Sequence, residues 1–286
     1  MNKRADEPVV KDSKDKEGTE TPLEALASLA AVLVVGLFVM TFIFQNFMIP
    51  SPSMEKTLLI GDHVVVDRTT LAPQTKWAPF IHFRPVQRGD VIVFYKPHSE
   101  TPEMILVKRA IGIPGDRIHL RQGVVYVNGV AQSEPYAIQP REDNYIPYRD
   151  DFPSDVPGLS RNAAATVEAL GDCPDQQCAS AKGIASRTVA WAEELPAFVQ
   201  GGDLVVPPGT VFAMGDNRAK SLDGRFWGFV PQENIIGRPL FVFWSFQTPA
   251  DQENKTSMGD RIGFFFHEML HIFDGTRWNR ELHIIR

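Results

Sequence analysis

The chain is 286 residues long and 43% hydrophobic, with 29 basic against 35 acidic residues and a formal net charge of −6. That is enough apolar material for a folded body, while the acidic balance and the lack of any Lys/Arg run longer than a dipeptide exclude the electrostatic footprint of a nucleic-acid binder. Nucleic acid is not expected as a partner, and no repeat at a fixed period points to a solenoid or propeller.

Residues 1–24 mix Lys, Asp, Glu, Thr and Pro with almost no large apolar side chain, so they are read as a disordered tail. Ala25–Phe44 is an uncharged apolar run that as a helix would measure roughly 30 Å, the thickness of a bilayer core; residues 25–45 are read as a transmembrane anchor. No small-x-small cleavage site follows Phe44, which argues against a removed leader. Lys11, Lys14 and Lys16 precede the span and only Lys56 follows at comparable distance, so the tail is expected in the cytoplasm and the bulk outside.

Beyond the anchor the pattern is β. His63–Asp67, Val91–Tyr95 and Met104–Val107 are bounded by Gly, Pro or Asp and read as strands. Ile118–Arg121 and Val124–Val127 flank Gln122-Gly123, and Asn128-Gly129 follows, which is the turn chemistry of a β-ribbon. From about Gln132 to Gly202 the composition shifts to Pro, Asp, Ala and Ser, with a short helix expected around Val189–Phe198 and the look of an insertion. Strand character returns at Leu204–Val206, Val211–Met214 and Pro239–Trp244.

Cys173 and Cys178 lie in the inserted stretch, outside the cytoplasm by the expected topology, which favours a local disulfide. A zinc pair is the competing reading, weakened by four intervening residues and the lack of a second pair.

Three segments carry candidate chemistry. Ile49-Pro50-Ser51-Pro52-Ser53-Met54 holds two serines fixed by prolines just past the span. It lacks a Gly-x-Ser-x-Gly context, and no histidine offers an evident triad. Lys108 shares a strand face with Leu106 and Ala110, where burial would favour a neutral amine able to take a proton from Ser53. The competing interpretation is a solvated Lys108-Arg109 pair and ordinary turn serines. Gly215–Gly228, a polar glycine-rich loop between apolar strands, tips the balance toward a site.

Together these stretches, with Arg88–Phe94 and Val107–Asp116, resemble the bacterial type I signal (leader) peptidases, membrane-bound Ser/Lys endopeptidases. The resemblance covers roughly Phe44–Asp116 and Pro207–Trp244. It implies that Ser53 is the nucleophile and Lys108 the general base, with Ser51 Oγ and the Ser53 N–H as oxyanion donors. Ser221 would orient the lysine, and Asp216, Arg109, Asp223 and Arg225 would form a supporting ion-pair shell. The chain departs from the family pattern at Pro52, at Glu55-Lys56 and at Gly224; none of these removes a catalytic group, and Pro52 and Glu55 bear on fine substrate preference. Ile49, Met54, Leu106 and Val107 are candidate pocket residues for the small side chains the family accepts, with substrate adding as an extended strand.

The expected architecture is mostly β and of signal-peptidase type. A catalytic domain over 46–116 and 208–286 carries an inserted β-ribbon domain over 117–207, preceded by one transmembrane helix. The expected activity is signal-peptide removal from exported preproteins at the outer face of a bacterial inner membrane, with the bilayer as a further partner and no cofactor.

His267-Glu268-Met269-Leu270-His271 fits an H-E-x-x-H zinc pattern, with Asp274, Glu281 or His283 as third ligand. The metzincin extension fails at Asp274 and Arg277, so the run from Ile262 to Phe273 is expected to pack instead on the domain or the bilayer surface. An anchored module that binds without cleaving would fit the same span and β-rich body. A self-cleaving Ser/Lys repressor would need a helix-turn-helix before the serine, and the chain has a membrane span there instead.

Overall fold

The structure, a computed structural model, describes residues 21–71, 83–97, 104–173, 176–248 and 257–285. Most of the expected tail, residues 1–20, therefore lies outside the described residues. The chain divides into two compact units, residues 1–41 and 42–286.

The first unit is built on helix α1, Pro22–Phe38, whose start is set by a capping box: Thr21 Oγ accepts from Glu24 N at 3.3 Å and Glu24 Oε2 accepts from Thr21 N at 2.8 Å. Pro22 occupies the first turn, where its missing N–H costs nothing. A π-helical turn, Val39–Ile43, extends the helix. The 22 residues Pro22–Ile43 are long and apolar enough to cross a membrane, about 33 Å at 1.5 Å per residue. None of α1's side chains is buried.

The second unit starts with antiparallel strands β1 (Phe44–Met48), β2 (Asp62–Asp67), β3 (Val91–Tyr95) and β4 (Ile105–Gly112). β5 (Arg117–Arg121), β6 (Val124–Val127) and β7 (Val130–Ala131) follow, then helices α2 (Pro147–Asp150), α3 (Val156–Leu170) and α4 (Gln176–Glu194). β8 (Val199–Gln200), β9 (Asp203–Val205) and β10 (Thr210–Met214) lead to the short helix α5 (Gly224–Trp227). β11 (Val230–Pro231), β12 (Ile235–Ser245), α6 (Met258–Leu270) and β13 (His283–Ile284) complete the order.

The strands form two sheets, one ordered β1-β2-β12-β3-β4-β10-β11 with β13 also on β12, the other β7-β6-β5-β9-β8. β12 bends to serve both halves of the first sheet: Ile235 and Gly237 pair with β3, while Arg238–Ser245 pair with β2 across register shifts at Pro239/Phe241 and Val242/Trp244. Such bulges curl a sheet, and one absorbs the N–H that Pro239 cannot donate. The second sheet is not separately cored. Ile118, Leu120 and Val125 share one apolar cluster with Phe212 and Met214 of β10 and with Trp191 of α4.

Residues 156–194 differ from the expectation of a β-ribbon insertion with one short helix. α3 and α4 cover most of this stretch, and only the end of α4 and the following 3₁₀ turn coincide with 189–198. Local chemistry explains the helices: Asp155 caps α3 by accepting from Gly158 N at 2.9 Å, Pro157 sits in the first turn, and alanine is frequent in both. The apolar stripe is weak because α3 buries only Leu159 and Ala163, so periodicity gave no warning. Cys173, in the α3–α4 connection, is joined as a disulfide to Cys178 in the first turn of α4.

Phe264 and His267 of α6 meet the ring of Phe246 at 6.3 and 6.0 Å, whereas Phe265, Phe266, Met269, Leu270 and Phe273 are exposed. The segment thus packs on its own domain along one edge and leaves an apolar face open.

The turn that feeds β2 has little tolerance. Gly61 adopts φ +84°, and a Cβ there would lie 2.1 Å from Phe246 O. Gly61→Ala is therefore expected to cost at least about 3 kcal/mol, roughly a 6–12 °C fall in the thermal midpoint of a domain this size. Calorimetry on the purified variant checks this.

Candidate active site

The Ser53 turn is rigid for reasons visible in its residues. Ser51 is extended (φ −124°, ψ 154°), and Pro52 opens a 3₁₀ turn, Pro52–Met54. Glu55 N donates to Pro52 O at 3.0 Å and Leu58 N to Met54 O at 2.8 Å. Met54 and Leu58 are fully buried beside Ile49, so the turn is pinned from beneath. Ser53 is 8% exposed, and Ser51 Oγ lies 3.3 Å from its Oγ.

Lys108 sits in the middle of β4, opposite Ile92 of β3, and is 3% exposed. Its Nζ donates to Ser53 Oγ at 2.7 Å. Burial pulls the amine down from its usual 10.5 to about 8; Asp223 and then Asp216 pull it back up, and Arg225 adds to the lowering. With a pKa of about 8, about one molecule in ten holds a neutral amine at pH 7, against roughly one in 2,500 for a free lysine. Once neutral, the amine accepts along the same contact.

The two carboxylates near the lysine each carry an arginine of their own. Arg109 Nε and Nη2 donate to Asp216 Oδ1 and Oδ2 at 2.9 and 2.8 Å, and Thr57 Oγ1 adds a bond of 2.5 Å to Oδ2. Arg225 Nε and Nη2 donate to Asp223 Oδ1 and Oδ2, both at 2.9 Å. Burial opposes ionisation of Asp223, but Arg225 and the Gly215 N–H outweigh it and hold the carboxyl below its usual range. Such fork-to-fork pairs fix orientation as well as charge.

Ser221 is buried beside this group. Yet Ser221 Oγ has no partner at hydrogen-bond geometry, the Lys108 amine included. The expected pocket residues fall on different faces: Ile49, Met54 and Val107 pack in one apolar cluster and Leu106 against another. An open cavity of about 360 Å³ borders the turn at Pro52 and Glu55 and is closed by Leu59, Ile60, Gln247, Thr248 and Arg277.

Sequence reasoning passed over Gly215, Asn217 and Thr57 as individuals. Asn217 N donates to Ser53 O at 3.0 Å and Asn217 Nδ2 to Glu55 Oε2 at 3.0 Å, tying the loop to the nucleophile turn. A Cβ on Gly215 would stand 2.2 Å from Ser221 Oγ and 2.5 Å from Ser53 O. The Gly215-Asp216-Asn217 string was the available signal, but no local pattern says what the glycine must avoid.

The H-E-x-x-H motif lies elsewhere. His267 and His271 are exposed, with rings 4.6 Å apart, and His271 Nδ1 is 2.9 Å from Asp274 Oδ2. Among the described residues no group of three or more His, Cys, Asp or Glu is placed to hold a metal.

A family model described as "Signal peptidase, peptidase S26" matches residues 23–244, a stretch that contains Ser51, Ser53, Lys108 and the loop from Gly215 to Arg225. The chain belongs to the peptidase S26 family. It is accordingly a serine peptidase with the β-rich fold of signal peptidases. It is 30% identical over 226 residues to a probable signal peptidase I-1 of Synechocystis, covering 77% of this chain and 82% of that one. A signal peptidase I of Leptolyngbya laminosa is 28% identical over 231 residues, covering 79% of this chain and 81% of the other. The solved signal peptidase I of Enterococcus faecalis is matched at 23% identity and a TM-score of 0.29, over 54% of this chain and 97% of that one, a superposition too loose to carry an argument.

Within this S26 site Gly215→Ala should lower kcat at least about tenfold while leaving the circular dichroism spectrum intact, because a displaced Ser53 backbone misplaces the attacking group. Kinetics on the purified variant decide, and a wild-type kcat would contradict this.

Proposed function

We propose that this chain is a membrane-anchored endopeptidase that removes signal peptides from exported preproteins, with Ser53 as nucleophile and Lys108 as its general base. The observation that carries the reading is the buried Lys108 amine 2.7 Å from the Ser53 hydroxyl, in a chain whose curated relatives are signal peptidases I.

Each step has a group to perform it. Neutral Lys108 Nζ takes the Oγ proton as Oγ attacks the scissile carbonyl carbon. The developing oxyanion is met by the Ser53 N–H and Ser51 Oγ, donors each worth about 3 kcal/mol when well aimed. The ammonium then gives its proton to the departing amine, leaving an acyl-enzyme; water, deprotonated by the same lysine, releases the signal peptide and regenerates Ser53. The unpartnered hydroxyl of Ser221 supplies an acceptor for Lys108 in its charged form, which is the orienting role assigned to it here. Asp216 and Asp223, with Arg109 and Arg225, keep the surrounding field fixed through the cycle.

Anchoring by Pro22–Ile43 suits this task. Ser53 follows Phe44 by nine residues, a reach of at most about 30 Å, so the site stays near the bilayer, where a signal peptide's cleavage site emerges. The basic residues before the span favour a cytoplasmic tail and a site on the outer face. The exposed apolar face of α6 is suited to rest against that bilayer.

Ser53→Ala and Lys108→Ala should each abolish in vitro cleavage of a preprotein with the fold retained; normal cleavage by either variant removes the dyad. The pH profile follows from the sign of the lysine shift. Below about pH 8 the amine is protonated and kcat/KM should fall about tenfold per pH unit, levelling off above it. A midpoint near the ordinary 10.5 would mean that burial does not tune the base.

A further inference from the structure

The segment between β7 and α3 lies across the Gly215–Asp223 loop as a strap. Glu134 forms a two-pronged pair with Arg218, Oε2 to Nη1 and Oε1 to Nη2 both 2.7 Å, with the side chains 3% and 1% exposed. Arg218 Nε in turn donates to Gly215 O at 3.1 Å. Three residues past Pro135, Ile138 N donates to Asp216 O at 2.8 Å and Ile138 O accepts from Arg218 N at 3.0 Å, a β-bridge closed on the loop itself. Tyr136 donates to Glu134 Oε1 at 3.1 Å and presents its ring to Arg109, whose guanidinium carbon stands 3.8 Å from the ring centroid. Lys56, next to the nucleophile turn, donates to Pro135 O, and Arg149 Nη1 donates to Ala219 O at 3.0 Å.

These bonds converge on one object. The loop fixes Ser53 through Asn217 N and through the close approach of Gly215 to Ser53 O, so whatever fixes the loop fixes the nucleophile's backbone. We propose that the strap is a positioning element of the active site and that Glu134, acting through Arg218, is its positioning residue. This rests on the Ser53/Lys108 reading above and assigns to the inserted stretch the task of holding the reacting geometry. The logic is that of a buried ion pair used for orientation: two parallel bonds restrict Arg218 to one placement, and its third N–H then restricts Gly215. Removing the Glu134 charge frees the fork, and the loop gains room to shift by fractions of an ångström where the reaction tolerates least.

The test uses the full chain in detergent micelles, with competent sites counted by a peptide carrying an acylating electrophile. A purely structural role would lower the number of competent sites or the thermal midpoint and leave the rate per site alone. Positioning predicts that Glu134→Gln lowers kcat per titrated site by about 10- to 100-fold with KM changed less than about twofold. A wild-type rate per site overturns the proposal, whatever happens to stability. If Glu134→Gln titrates no competent site, Glu134→Asp, which keeps the charge but shortens the reach, is judged by the same criterion. Ser53→Ala runs alongside: activity in that variant would sink the dyad reading and the strap with it, whereas an inactive Ser53→Ala with a fully active Glu134→Gln sinks the strap alone.

Discussion

The structure turns on one costly arrangement, a lysine amine taken out of water in the middle of a sheet and left against a serine hydroxyl. A buried charge is disfavoured unless compensated, so the position itself pushes the amine toward its neutral form. Two carboxylates nearby would undo this if they were free to pair with it. They are not, because Arg109 holds Asp216 and Arg225 holds Asp223. Both anions still pull the amine upward, but Arg225 offsets part of that pull, and burial prevails. The supporting ion pairs thus act on the base as much as on the fold.

The second requirement is a nucleophile that cannot drift. Pro52 and the buried Met54 and Leu58 hold the turn from one side, and Asn217 and Gly215 hold it from the other. Those contacts come from different parts of the chain, the turn after β1 and the loop after β10, and the strap before α3 holds that loop in turn. The curled first sheet brings them together because β12 bends at Gly237, where a Cβ would stand 2.0 Å from Asp67 O, and so can pair with both β2 and β3.

How much of this was legible in the sequence depends on the range of the interaction. Strands such as Val91–Tyr95 and Val124–Val127 were readable because alternation and turn residues are local signals. Lys108 stood out as a lysine sharing a strand face with apolar Leu106 and Ala110, and Ser53 as a serine in a proline-fixed run. α3 and α4 were not legible, since they bury a narrow stripe and their helicity rests on alanine content and an Asp155 cap rather than on amphipathic period. Nor could Glu134 be matched to Arg218 across 84 residues, or the Tyr136 ring to Arg109, from one chain without its fold. Ser221 shows the converse: its place in the motif implies a partner, while its buried oxygen has none at bonding geometry.

The central claim is that burial sets the ionisation of one amine. Titration of lysine side-chain resonances by heteronuclear NMR on ε-labelled enzyme, with Lys108 assigned by its disappearance in a Lys108→Met variant, measures this directly. The account predicts a resonance that titrates near pH 8, apart from the other lysines. A Lys108 resonance titrating with the bulk near 10.5 would contradict it.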